Sequence, residues 1–391
     1  MRVHGFSLVE LTVAMGVMLV VMAGLVGVLA PAQAAVVAEP EAADMQQRLR
    51  MAVNTLVTDL MASGAGPDVG SQPGALLASF APVLPFRRSR TAGAPSDAFS
   101  ADTITMFSTP ARAAHSTLAS DLLPGTTMLH LVPESGCAVG LSVCRFTPGS
   151  TLLVYDGTGG FDLLAVAEVD QASGVLQLDS RTVPTALFRS GSMVVDARSR
   201  VYFVSHDAIV NTSQLMRSDA AVGAVVPMID HIVGLTFEYY GEARAPALIE
   251  PIADPAGSYA TYGPKPPPFD TTWTAYPPGE NCTFQLDGSG MAHVPRLSDL
   301  ASDPALVKLT REQLSDGPWC PDALAVNRWD ADLLRVRAVV VTVRVEAALA
   351  ALRGPAGPLF SNGGVSRTST RWMRDIERQF IVTPRNMSAA R

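Results

Sequence analysis

The sequence predicts an α+β protein, in which a long N-terminal transmembrane α-helix packs on a predominantly antiparallel β-sheet domain with a loop-rich insertion. Three observations lead to this prediction. An almost unbroken apolar run extends from Gly5 to about Ala38, and Glu10 is its one charged residue. A helical hydrophobic period follows, and then short apolar strands alternate with clusters of Gly, Pro, Asp and Ser. A stretch rich in proline and tryptophan interrupts the strands at residues 242–330.

Composition and charge fit a membrane-anchored, exported chain. With 391 residues and 48% apolar content, the chain is long enough for one large domain or one domain with an insertion. The formal net charge of −7 argues against a general nucleic-acid binder, which needs clustered Lys and Arg. Arg2 precedes the apolar run, whereas Glu39, Glu41 and Asp44 follow it, so we expect a cytoplasmic N-terminus and a periplasmic bulk.

The first element is predicted to be one very long helix in two parts. Residues 6–38 are apolar all round, as in a transmembrane or filament-core helix, and residues 39–66 continue it as an amphipathic helix. Pro31 is expected to kink the helix, and Pro40 to kink or interrupt it, because each removes a backbone donor. The buried stripe of the second part comprises Met45, Leu49, Val53, Leu56 and Leu60.

Residues 67–241 and 331–391 are predicted to form one β-rich domain. Its longest strand, Leu334–Ala347, is apolar in its middle and carries arginines near its ends, so we expect a central strand with charges where it leaves the core. Asp156–Gly160 is a hairpin signal. The other predicted strands are Thr103–Phe107, Thr127–Val132, Thr151–Tyr155, Leu163–Val169, Val175–Leu178, Ser192–Val195, Arg200–His206 and Ile232–Tyr240.

Residues 242–330 are predicted to form a partly ordered insertion on the surface, because loops of this length are usually functional or disordered. The four cysteines have no zinc-ligand spacing. In an oxidising compartment they suggest two local disulfides, Cys137–Cys144 and Cys282–Cys320, which is one of three possible connectivities. The second of these would close the insertion. Four unrelated thiols are the alternative.

Glu10 is unusual because an ionisable group within a bilayer costs roughly 2.5–3.5 kcal/mol and usually has a partner. If the chain is cut after Gly5, Phe6 becomes an N-terminal amine that Glu10 of an adjacent subunit could neutralise. The string from Gly5 to Leu11, GFSLVEL, resembles the leader junction of type IV prepilins. That resemblance implies that residues 1–5 are a leader, that prepilin peptidase cuts between Gly5 and Phe6, and that Phe6 is then N-methylated.

Two further stretches resemble the large minor pilins, of which the PilW-type minor pilins and the J-type pseudopilins of type II secretion are examples. Leu56–Gly66 resembles the end of their long helix, and Arg378–Met387 resembles their C-terminal strand followed by Arg-Asn. The resemblance implies a pilin-like sheet domain and a structural role in a type IV pilus or a type II secretion pseudopilus. A tip position or the assembly-priming complex would suit so bulky a domain.

The resemblance also implies the partners and the location. The partners are prepilin peptidase, other minor and major pilins or pseudopilins, the assembly platform and the inner membrane, which the chain crosses once before entering the filament. No catalytic constellation is visible, because the six histidines show no HExxH spacing and no GxSxG motif is present. We therefore expect no enzyme activity, no cofactor, no metal site and no nucleic-acid partner.

Two alternatives remain open. The first is an adhesin or a DNA-uptake minor pilin that binds a ligand through the insertion. The second is a secreted β-rich protein released by ordinary signal cleavage after Ala34, because Ala32-Gln33-Ala34 is a small-x-small site.

Overall fold

The fold is known from a computed structural model. Residues 28–35, 259–260, 284–286, 292–293, 319–320, 329 and 331 are described by their backbone alone. Backbone and side chains are described for residues 7–27, 36–67, 75–78, 80–86, 100–110, 112–156, 160–209, 211–218, 225–243, 306–314, 330, 332–363 and 372–387.

The long α-helix α1 extends from Leu8 to Ala62 over 55 residues. It continues through Pro31 and Pro40, so the interruption that the sequence suggested at Pro40 does not occur. A proline in a helix removes one backbone hydrogen bond and costs about 3 kcal/mol, which a long helix of good helix formers tolerates. At Pro40 the carbonyl that loses its donor belongs to Val36, which is an exposed residue.

The two parts of α1 differ as predicted. Leu8–Gly27 has a mean hydropathy of 2.3 and no buried residues, and it is long and apolar enough to cross a membrane. The later part has one buried face, which comprises Met45, Leu49, Ala52, Leu56 and Leu60. Val53, which was expected on this face, is half-buried.

In the part of the chain that the structure describes, most of the other regular structure is antiparallel β-sheet. The strands are β1 (Val83–Pro85), β2 (Ile104–Ser108), β3 (His115–Thr117), β4 (Met128–His130), β5 (Thr151–Tyr155), β6 (Phe161–Asp170), β7 (Val175–Leu178), β8 (Met193–Asp196), β9 (Arg198–Asp207), β10 (Thr212–Ser218), β11 (Val225–Asp230), β12 (Ile232–Glu242), β13 (Tyr259–Ala260), β14 (Phe284–Leu286), β15 (Ala292–His293), β16 (Leu306–Leu309), β17 (Trp319–Cys320), β18 (Trp329–Asp330), β19 (Val336–Val345) and β20 (Ile376–Val382). Short 3₁₀ helices occur at Leu76–Ala78, Ala331–Arg335, Ala350–Leu352 and Arg385–Met387.

These strands form three main sheets. A five-stranded sheet has the order β1-β2-β9-β10-β11, and a four-stranded sheet has the order β16-β12-β19-β20. The third sheet has six strands in the order β3-β8-β5-β6-β7-β4. Small sheets of β13-β14-β15 and β17-β18 complete the described strands. The hairpin expected at Asp156–Gly160 is confirmed, because β5 and β6 pair with Tyr155 opposite Phe161.

The six-stranded sheet closes on itself as a small barrel. Its outer strands, β3 and β4, meet just beyond their ends, where Leu118 bridges Leu131. There the Ala119 N–H donates to the His130 carbonyl at 2.8 Å, and the Val132 N–H donates to the Thr117 carbonyl at 2.9 Å. Side chains fill the interior, among them Phe146, Leu152, Val154, Leu164, Leu176 and Phe188.

The barrel lies in the chain between two strands that pair directly with each other. β2 and β9 are neighbours in the five-stranded sheet, with Ser108 opposite Arg198. Residues 109–197 are therefore an excursion from that sheet. The predicted β-rich domain at residues 67–241 does not separate this barrel from the five-stranded sheet.

The predicted insertion at residues 242–330 lies largely outside the described residues, but one part of it belongs to a main sheet. β16 pairs with the end of β12, with Tyr239 opposite Leu309. Leu309 and Leu314 are buried. β16 is thus an edge strand of a main sheet, and Leu309 and Leu314 contribute buried side chains, whereas Leu306 and Val307 are exposed.

By contact, the chain divides into two compact units. Met1–Arg50 and Arg344–Glu377 form the first, and Met51–Val343 and Arg378–Arg391 form the second.

Candidate functional site

The residues predicted to carry function lie at the beginning of α1. Gly5 and Phe6 are outside the described residues, whereas Ser7 and Glu10 are described. The Ser7 hydroxyl accepts a hydrogen bond from the Val9 N–H at 3.2 Å, and Glu10 Oε2 accepts one from the Ser7 N–H at 2.9 Å. This reciprocal arrangement is a capping box, which satisfies backbone donors that a helix start leaves unpaired.

Glu10 therefore has a local partner, the Ser7 N–H, and the Ser-x-x-Glu spacing is the sequence signal for this contact. Its surroundings remain apolar, because Leu8, Val9, Leu11 and Val13 are all exposed side chains on the same helix. The capping hydrogen bond occupies one carboxylate oxygen. It supplies no positive charge.

A polar contact fixes α1 just beyond the apolar run, within the first compact unit. Glu41 is 8% exposed, and its Oε1 accepts a hydrogen bond from the Ala348 N–H at 2.6 Å. Arg48 Nη1 lies 3.7 Å from the same oxygen, and Arg48 also pairs with Asp44. This contact joins the helix to the segment that follows β19.

The same segment contains a buried ion pair. Arg353 Nη2 lies 3.1 Å from Glu346 Oε1, and both side chains are at most 5% exposed. Arg353 Nε donates to the Ala347 carbonyl at 2.7 Å, and Asn362 Nδ2 donates to Glu346 Oε2 at 2.9 Å. Since buried charges are tolerated when they are paired and hydrogen-bonded, this network gives the segment a defined conformation.

In the second unit, α1 is held by Asp59. The Tyr202 hydroxyl on β9 donates to Asp59 Oδ2 at 2.6 Å, and Arg200 Nε lies 3.9 Å from the same oxygen. Burial, and then the nearby Asp59 carboxylate, raises the pKa of Tyr202, so its hydroxyl remains a donor at neutral pH. Asp59 belongs to the stretch that resembles the helix end of large minor pilins, and here it fixes that end to a sheet.

A buried charged cluster joins the two borders of residues 242–330. Arg335 is 2% exposed, and it donates to the Glu242 carbonyl at 2.9 Å, to the Ala243 carbonyl at 3.1 Å and to Asp332 at 3.0 Å. Arg337 Nε lies 3.4 Å from Glu242 Oε1. We call these five residues the border cluster.

The border cluster corrects the expectation for the long strand. Arg335 and Arg337 are buried and do not mark where the strand leaves the core. The prediction of solvated arginines is wrong because a single sequence does not reveal the partners at Glu242 and Ala243, which are more than 90 positions away from Arg335.

The expected disulfide between Cys137 and Cys144 agrees with the structure, in which the two sulfur atoms are at bonding distance. Glu134 lies beside it and accepts from the Cys144 N–H at 2.9 Å and from Arg145 Nε at 3.3 Å. Among the described residues, this is where three potential metal ligands come together, although the two sulfurs are bonded to each other. Cys282 lies outside the described residues, so its pairing with Cys320 stays a prediction.

A surface cleft of about 470 Å³ lies along residues 118–130 of the barrel, with Ser120, Thr127 and His130 among its lining. Asp121 forms part of its wall and accepts from the Ser190 N–H and from Arg189 Nη1, both at 2.8 Å. The Ser190 N–H, and then the Arg189 guanidinium, hold the pKa of Asp121 below its usual range. This contact is therefore kept at neutral pH and weakens only as the pH falls through that lowered pKa.

Comparisons with family models, with curated proteins and with solved structures found no match to this chain.

Proposed function

We propose that the protein is a type IV prepilin-like structural subunit, a large minor pilin or J-type pseudopilin with a pilin-like fold. The observation that carries the proposal is a continuous helix of 55 residues, Leu8–Ala62, whose start is capped by Ser7 and Glu10 and whose first part is apolar. Its first 20 residues suffice to cross a bilayer, and its second half has one buried face. One helix thus joins a membrane-length segment to an antiparallel sheet protein.

Glu10 is the residue we assign to assembly. The capping box orients its carboxylate toward the helix start, and the surrounding side chains are exposed and apolar. In a membrane or a bundle of such helices, the charge needs a cation from outside its own helix. A newly formed Phe6 amine on a neighbouring subunit is a cation at the matching position along the helix.

The contacts of the buried Glu41 and the half-buried Asp59 suit a subunit that transmits force between a membrane helix and a head domain. The disulfide-forming pair Cys137 and Cys144 suits a head in the periplasm. The protein would be held in the inner membrane by α1 before it enters the pilus or pseudopilus. Its partners would be prepilin peptidase, other pilins or pseudopilins and the assembly platform.

The test is mass spectrometry of the mature N-terminus from cells that contain the assembly system. We expect a chain that begins with N-methylated Phe6. Gly5→Val should accumulate at full length, because a bulky side chain at the cut blocks the peptidase. Gly16→Val is the matched control, since a Cβ added there meets no atom within 4 Å, and it should be cleaved normally.

Two outcomes contradict the proposal. A mature N-terminus at Ala35 would identify an ordinary secreted protein. Normal processing of Gly5→Val would show that the cut depends on some other part of the chain.

A further inference from the structure

The disulfide-forming pair of the barrel, Cys137 and Cys144, lies beside a buried carboxylate. Both cysteines are half-buried. The Glu134 side chain is 1% exposed, and its Oε2 lies 3.5 Å from Cys137 Sγ. Burying a charge is costly unless the charge is paired and hydrogen-bonded, so the contacts of Glu134 show what this carboxylate does in the loop.

Glu134 joins the two ends of the loop that contains the cysteines. Its Oε2 accepts the Cys144 N–H at 2.9 Å and the Arg145 N–H at 3.2 Å, and its own N–H donates to the Ser142 carbonyl at 2.7 Å. Arg145 Nε lies 3.3 Å from Glu134 Oε1 and offsets the negative charge. The carboxylate therefore fixes the backbone of Cys144 close to Cys137, through contacts that do not involve the S–S bond.

The stretch between the two cysteines is also held by contacts other than the disulfide. The N–H groups of Ser142 and Val143 both donate to the Gln171 carbonyl, at 2.7 Å and 3.1 Å, and the Val143 side chain is fully buried. The Leu141 N–H donates to the Ala138 carbonyl at 3.0 Å and closes the turn within this stretch. All of these contacts remain available when the S–S bond is open.

We propose that Cys137 and Cys144 form a thiol–disulfide exchange site that opens and closes on a preformed loop, with Glu134 as its positioning residue. When the bond is open, the two thiols stay within reach of each other because Glu134 keeps the backbone of Cys144 in place. The effective concentration of one thiol at the other is then high, and closing the bond requires little ordering of the chain. Thiol reductants and disulfide oxidants are the reaction partners of the site.

Opening the bond transfers two electrons from two thiols of the reductant to the disulfide. A thiolate of the reductant attacks one of the two sulfur atoms and forms a mixed disulfide, while the sulfur that leaves takes a proton from water. A second thiolate then attacks the reductant's sulfur in the mixed disulfide. This step releases the other cysteine, which also takes up a proton, and it leaves the reductant as its own disulfide. Closing the bond is the reverse reaction with an oxidised thiol.

The experiment equilibrates the full-length protein with mixtures of reduced and oxidised glutathione. Differential alkylation and mass spectrometry of the peptides that carry Cys137 and Cys144 give the fraction of the pair that is reduced. The measured quantity is the ratio of squared reduced glutathione to oxidised glutathione at which half of the pair is reduced. We expect this ratio to fall about tenfold or more in Glu134→Ala, because hydrogen bonds to a charged group are strong enough for such a change.

Two further variants separate positioning from a general effect on the loop. Glu134→Gln keeps an acceptor oxygen for the two N–H groups and should restore most of the wild-type ratio. Arg145→Gln is the matched control, because it removes the ion pair and keeps the backbone N–H, and it should stay near the wild-type ratio. If Glu134→Ala is half reduced at the wild-type ratio, or if Glu134→Gln falls as far as Glu134→Ala, the positioning role is wrong.

Hydrogen exchange tests the preformed loop without any change at Glu134. In the variant Cys137→Ser/Cys144→Ser, the amides of Ser142 and Val143 should keep the protection that they have in the wild type, because their acceptor is a backbone carbonyl of the neighbouring turn. Loss of that protection would show that the loop depends on the disulfide, and the inference would then be overturned.

Discussion

At the scale of single residues, Glu10 combines two roles that substitutions can separate. Its carboxylate accepts the Ser7 N–H in a capping box, and its charge has no cation in the described part of α1 near it. The first role concerns the start of one helix, whereas the second concerns contact between subunits. Glutamine retains the first and removes the second, because a capping box accepts either residue.

We therefore predict that Glu10→Gln and Glu10→Ala are both inserted and cleaved but are poorly incorporated into filaments. Ser7→Ala is the matched control, since it removes the capping hydroxyl and keeps the charge, and it should be incorporated almost normally. The measurement is the amount of each variant in purified filaments relative to the membrane pool. Normal incorporation of Glu10→Gln would leave helix capping as the residue's only role.

Gly241 in β12 lies where two backbone segments approach closely, its own and that of Arg335. A Cβ at this position in β12 would lie 2.1 Å from the Arg335 carbonyl oxygen, so the two segments must separate to admit it. We predict that Gly241→Ala lowers the free energy of unfolding by about 1–3 kcal/mol or more, as overpacking does. Gly357→Ala, whose Cβ meets no atom within 4 Å, should change it little. Urea unfolding of both variants tests this, and equal midpoints would contradict the prediction.

At the scale of elements, α1 is one continuous helix whose surroundings change along its length. Leu8–Gly27 has no contacts that bury it, while Glu41 and later residues meet the rest of the chain. The transition occurs near Glu41, whose carboxylate accepts the Ala348 N–H. The helix is thus attached to the protein immediately after its apolar run ends.

We predict that Glu41→Ala loosens this attachment, because it removes the acceptor of the half-buried Ala348 N–H, and a fully buried donor left unpaired costs about 1–3 kcal/mol. Glu41→Gln keeps an acceptor oxygen and should have a smaller effect. Glu39→Ala is the control, because it removes the same charge from an exposed position two residues earlier. Hydrogen exchange of the peptide that contains Ala348 should be faster in Glu41→Ala than in the wild type. If Glu39→Ala speeds this exchange as much as Glu41→Ala does, the role of Glu41 is refuted.

At the scale of the whole second unit, the barrel is joined to the five-stranded sheet through aromatic rings. Phe161 at the start of β6 stacks on Phe80 with centroids 4.6 Å apart and meets Phe107 of β2 at 5.3 Å. Tyr155, opposite Phe161 in the barrel, also contacts Phe80 at 5.8 Å. Burial raises the pKa of Tyr155, in keeping with its place in this dry junction.

We predict that Phe161→Ala destabilises the barrel and the adjoining sheet together, by roughly 3–5 kcal/mol. Phe146→Ala is the matched control, since Phe146 packs within the barrel core, and its effect should be confined to the barrel. Amide exchange in β2 and β9 distinguishes the two variants. If Phe161→Ala leaves exchange in β2 and β9 unchanged, the barrel is an independent module.

The features that the sequence by itself determined are local. The membrane-length helix, its buried stripe around Leu56, the strand Thr151–Tyr155 and the hairpin after it follow from periodicity and turn residues, which act over a few positions. The pair Cys137 and Cys144 could be proposed because the two residues are close in the chain. β10 and β11 were missed because their polar residues and Pro227 hide the alternation.

Only the tertiary structure decided the closure of the barrel and the burial of Arg335, because both depend on residues that are distant in sequence. β3 and β4 close the barrel only after the four strands between them in the sheet have paired, so no short segment encodes the closure. The buried state of Arg335 depends on Glu242, Ala243 and Asp332 converging on one guanidinium. The order of residues along the chain does not show which distant residues meet. Burying a charge is favourable only when every partner is present at once, so the burial of Arg335 cannot be inferred from its neighbours in sequence.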